Sequence, residues 1–138
     1  MSVVRLGLRY FAWVFAAGFL LGVLRTVWLA PLLGVERAEI VELPLMVGIC
    51  WWVARELFGG GGNVPMPDRR ERFAAGAFAL LCLLAVELSV VLALRGETLG
   101  AWAASRKSLA GALWVLSMLL FALLPGLVAV REAGAPPR

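Results

Sequence analysis

At 138 residues, 62% hydrophobic and 16% charged, with a mean hydropathy of +0.92, the chain is too apolar for a water-soluble domain, which runs about 45–50% apolar and about 25% charged. Its formal charge of +4 does not indicate nucleic acid, because the 13 basic residues punctuate hydrophobic runs instead of gathering on one polar face. With no histidine, and with Cys50 and Cys82 each inside an apolar run without CxxC spacing, the usual zinc and haem ligand sets are missing; no metal or other cofactor is expected, and both thiols read as inert packing.

Four segments, 10–33, 38–58, 73–94 and 109–130, are each long enough to supply the roughly 20 apolar residues a helix needs to cross a bilayer. They predict one all-α, membrane-embedded bundle of four transmembrane helices. Arg5 and Arg9 precede the first span, whose apolar run outlasts the roughly 7–15 residues of a signal-peptide core. Along that span Gly18, Gly22 and Arg25 fall at i, i+4 and i+7, so Arg25 shares a stripe with a GxxxG pair of the kind that lets helix backbones approach closely. The stretch "ERAEIVELPLM" then opens the second span. It places Glu39 and Glu42 on one stripe and Pro44 in the first turns, where a missing N–H does little harm.

"GGGGNVPMPDRRER", residues 59–72, predicts a flexible cytoplasmic loop; no GK[ST] follows the glycines, so it is not a phosphate-binding loop. The third span carries Gly76, Leu80, Leu83 and Glu87 on one stripe. "TLGAWAASRK", from Thr98 to Lys107, is expected to lie along the outer surface before the fourth span, whose end Pro125 should kink. The tail 131–138 should be disordered, and no internal repeat is evident.

Orientation follows from the excess of positive charge on the cytoplasmic side. With the N-terminus inside, Arg5, Arg9, Arg55, Arg69, Arg70, Arg72, Arg131 and Arg138 lie inside, against Arg25, Arg37, Arg95, Arg106 and Lys107 outside. Both termini are therefore expected in the cytoplasm, in a bacterial inner membrane. Trp13, Trp51 and Trp52 towards the inner side, and Trp28 and Trp102 towards the outer, fit the aromatic belts of such a frame.

Helical rise puts Arg25 about 22 Å, Glu87 about 21 Å and Glu42 about 24 Å from the inner boundary. These depths predict a single polar or ion-binding cluster of Arg25, Glu39, Glu42 and Glu87. Ionisable groups at that depth usually face a partner inside the bundle. One guanidinium takes one carboxylate bidentately, so a second acid should be protonated, hydrated or neutralised by a cation. The leading reading is polar glue between helices in a structural or accessory membrane component; the alternative is a small proton- or cation-coupled transporter using the surplus glutamate. No enzyme is expected, since Ser89 and Ser117 have no evident activator. Partners would be the bilayer itself, further copies of the chain or a larger membrane complex.

The segments "GVLRTVWLAPLLG", "ELPLM", "AVEL" and "FALLP" resemble small four-helix membrane proteins encoded in proteobacterial genomes. That resemblance implies a multi-pass inner-membrane protein and no mechanism. The small multidrug exporters, four-helix proteins of comparable length built around a membrane-embedded glutamate, are not matched: the first span offers Arg25 and no acid.

Overall fold

The computed structural model describes residues 2–60 and 65–128, all-helical with no strand among them. In chain order these are α1 (Val3–Leu24), a π-helical turn (Arg25–Leu29), α2 (Ala30–Leu33), α3 (Val35–Phe58), α4 (Arg69–Ala93), α5 (Leu99–Ser105) and α6 (Leu109–Leu127). The first three run on as one helix, Val3–Leu33. That helix, α4 and α6 are long and apolar enough to cross a membrane. α3 has the length, with 24 residues, but carries Glu36, Arg37, Glu39, Glu42, Arg55 and Glu56.

Local chemistry sets the boundaries. Ser2 accepts from the Arg5 N–H at the start of α1, and Gly34, at φ 85°, takes the left-handed conformation that separates α2 from α3. α4 begins at Arg69, inside the expected loop, because Asp68 and Glu71 form a reciprocal capping box: the Glu71 N–H donates to Asp68 at 2.8 Å and the Asp68 N–H to Glu71 at 3.0 Å. Residues 69–72 of the expected loop are thus the first turn of α4. The expected tail 131–138, and the end of the fourth span beyond 128, lie outside the described residues, as do 61–64.

α1 packs between α3 and α4, and α6 packs between the same two helices. Gly7 faces Ala75 and Phe78, Gly18 faces Met46, and Gly76 faces Ala122 and Pro125. These registers make α1 parallel to α4 and antiparallel to α3, with α6 antiparallel to α4. A Cβ at Gly7 would lie 2.8 Å from the Ala75 carbonyl oxygen, and one at Gly76 would strike the Ala122 carbonyl. Glycine there lets the backbones approach, the role small residues play between apolar helices.

The core is concentrated at one end. Tyr10, Phe58 and Phe121 are fully buried there beside Leu6, Val14, Cys50, Val53, Ala54, Ala75 and Ala79. Tyr10 stacks on Phe121 with centroids 4.7 Å apart and meets Phe58 edge-on at 5.8 Å. Towards the other end Phe19, Leu20, Trp28, Leu32 and Leu94 are exposed, an apolar surface suited to lipid.

Candidate functional site

Arg25 is the first residue of the π turn. The Ala30 N–H bonds back five residues to its carbonyl, and Pro31 follows with no N–H to give. Such turns insert one residue's worth of extra winding and recur at functional positions. The tight Gly34 corner folds α3 back along this helix, so Glu39 and Glu42, three residues apart on one face, come opposite Arg25. Arg25 Nη1 donates to Glu39 Oε1 at 2.9 Å, and Arg25 Nε lies 2.8 Å from Glu42 Oε2. The Nε–H is not aimed at that oxygen or at any other acceptor, so its contact with Glu42 is ionic. Two carboxylates therefore share one guanidinium; the Glu42 side chain is 14% exposed and that of Glu39 41%.

Glu87 does not join this group. It belongs to the other helical hairpin, where Arg106 Nη2 donates to Glu87 Oε1 at 3.4 Å. Helical rise fixes how deep a residue sits and leaves open which neighbour it faces, and α4 turns Glu87 towards the α5–α6 corner. Arg106 also lies against two indoles, its Cζ 5.3 Å from the Trp102 ring and 4.5 Å from that of Trp114. The four-residue spacing of Trp102 and Arg106 was the sequence signal for this contact.

The GxxxG pair divides as well. Gly18 faces the Met46 methyl, while a Cβ at Gly22 would meet nothing within 4 Å. The close approaches fall at Gly7 and Gly76. Ser89 and Ser117 donate to carbonyls of their own helix, Ala85 at 2.7 Å and Trp114 at 2.8 Å. Cys50 is buried and Cys82 half-buried, both as free thiols.

No protein-family model, curated protein or solved structure matches the chain.

Sequence reasoning also missed Arg72. Placed in the loop by its basic neighbours, it is instead 7% exposed and donates from Nη1 to the Val128 carbonyl at 2.8 Å and the Pro125 carbonyl at 3.4 Å. A cation thereby closes the C-terminal carbonyls of α6, where the helix dipole is negative.

Proposed function

We propose that the protein is an integral inner-membrane protein of four spans, with α3 crossing beside the three apolar helices and both termini cytoplasmic. Its role is structural or accessory, exercised by packing with copies of itself or within a larger membrane assembly. The observation that carries this reading is that three acids close onto arginines outside their own helices: Glu39 and Glu42 onto Arg25, Glu87 onto Arg106. Paired charges are what a helix with as many ionisable residues as α3 needs to lie in a bilayer, and they tie helices together where lipid supplies no hydrophobic drive.

The orientation rests on charge. The end that holds Tyr10 and Phe58 also carries Arg5, Arg9, Arg55, Arg69 and Arg70, the excess that favours the cytoplasm. Phosphatase fusions active after residues 34 and 96, with fluorescent-protein fusions bright within 59–68, would match four spans with the N-terminus inside. An active phosphatase at 59–68 would remove α3 from the membrane.

Thermal unfolding in detergent tests the role. Glu42→Gln and Glu87→Gln should each lower the melting temperature; if both variants melt as high as wild type, the pairs are not structural. Cation- or proton-coupled transport is the second reading, favoured by one observation: two carboxylates face a single Arg25, and the outer one, Glu39, is 41% exposed. It requires that Glu39→Gln abolish flux in proteoliposomes while leaving the protein folded.

A further inference from the structure

The corner where α5 meets α6 has the composition of a cation receptor. The rings of Trp102 and Trp114 meet edge to face, centroids 5.8 Å apart at 89°, and the Glu87 carboxylate closes a third side. Arg106 fills the space between them. Gly111 makes the arrangement possible, since a Cβ there would collide with the Arg106 backbone. Indole faces and a carboxylate around a cation are the chemistry by which proteins bind quaternary ammonium groups.

The occupant fits imperfectly. The Arg106 Nε–H is buried without an acceptor, and a buried donor left unpaired is costly. A quaternary ammonium has no N–H to satisfy and would present methyl groups to the same rings. α5 has no extensive packing against another helix, so the Trp102–Trp114 contact, the Glu87 ion pair and the Arg106 contacts with the two indoles are what hold this corner together.

We infer that Trp102, Trp114 and Glu87 form a binding site for a small organic cation of the quaternary-ammonium class, and that Arg106 is its internal occupant. A ligand enters by displacing the Arg106 side chain, which frees α5. The site is separate from the Arg25 group but shares the Glu87–Arg106 pair with the structural role proposed above; tetramethylammonium binding, unlike a melting temperature, reads the site alone.

The test uses the full chain in maltoside micelles, with tetramethylammonium chloride as probe and sodium chloride at equal ionic strength as control. By calorimetry, Arg106→Gln should bind tetramethylammonium at least about tenfold more tightly than wild type. Adding Trp114→Ala or Glu87→Gln to that variant should erase the gain. In wild type, saturating tetramethylammonium should speed amide exchange across 99–107, and sodium should not. The inference is overturned if folded Arg106→Gln binds no more tightly than wild type, or if the gain survives loss of Glu87. Should Arg106→Gln fail to fold, wild-type exchange decides: acceleration specific to tetramethylammonium supports the site, and unchanged exchange overturns it.

Discussion

The Tyr10 hydroxyl donates to the Phe121 carbonyl at 2.9 Å, and Phe121 is the residue whose helical donor Pro125 has removed. In an uninterrupted helix the N–H of residue 125 would bond the carbonyl of residue 121. Proline has no N–H, so that carbonyl would be orphaned in an apolar core. A side chain 111 positions away supplies the missing donor. The proline in α6 and the buried tyrosine in α1 are therefore one device.

Tyr10→Phe removes the donor and keeps the ring stack, so it should destabilise the protein by about 1–3 kcal/mol, the usual consequence of stranding a buried carbonyl. Pro125→Ala restores a backbone N–H to Phe121. In that background Tyr10→Phe should cost much less, and a double-mutant cycle of unfolding free energies measures the coupling. Additive effects would mean that the two groups do not share the carbonyl.

Arg72 makes a similar repair at the end of α6, to the Val128 and Pro125 carbonyls. Arg72→Met keeps the apolar stem and removes the donors; we expect a loss of about 1–3 kcal/mol and faster amide exchange at 124–128, where α6 would fray. Arg72→Lys should recover part of the loss, because an ammonium keeps the charge without the guanidinium's fork of donors. Unchanged exchange at 124–128 in Arg72→Met would show that the cap does not hold the helix end.

The apolar helices and the hairpin turns between them were legible because hydropathy and helix breakers are local. α1, α4 and α6 follow from length and composition, while the start of α4 was obscured by "DRRER", where three arginines suggested a loop and the Asp68–Glu71 capping pair was the better guide. What a one-dimensional pattern lacks is azimuth: Glu87, expected beside Arg25, faces Arg106. Repairs such as Tyr10 on Phe121 join residues that only the folded chain brings together.

The glycines give a paired prediction. Gly76→Ala drives a methyl into the Ala122 carbonyl of α6, so the α4–α6 contact must open, at about 1–3 kcal/mol for overpacking. Gly22→Ala meets open space in mid-helix and should raise stability by about 0.5–1 kcal/mol through backbone propensity. Melting temperatures in one detergent compare the two directly. Equal destabilisation would point to a partner lying against Gly22.

The two acids on Arg25 should respond unequally. Glu39 is 41% exposed, so Glu39→Gln removes a solvated partner and should change stability by no more than about 1 kcal/mol. Glu42, 14% exposed, depends on the arginine. Arg25→Gln leaves its carboxylate without a counter-charge, and breaking a buried pair from one side costs about 3–5 kcal/mol; partial exposure of both groups places this case towards or below the lower figure. Adding Glu42→Gln to Arg25→Gln removes the stranded charge and should return much of the loss, whereas adding Glu39→Gln should return little. The order of these variants in thermal unfolding identifies which carboxylate Arg25 neutralises. Equal rescue by both would mean that the guanidinium is shared evenly and that neither glutamate is surplus.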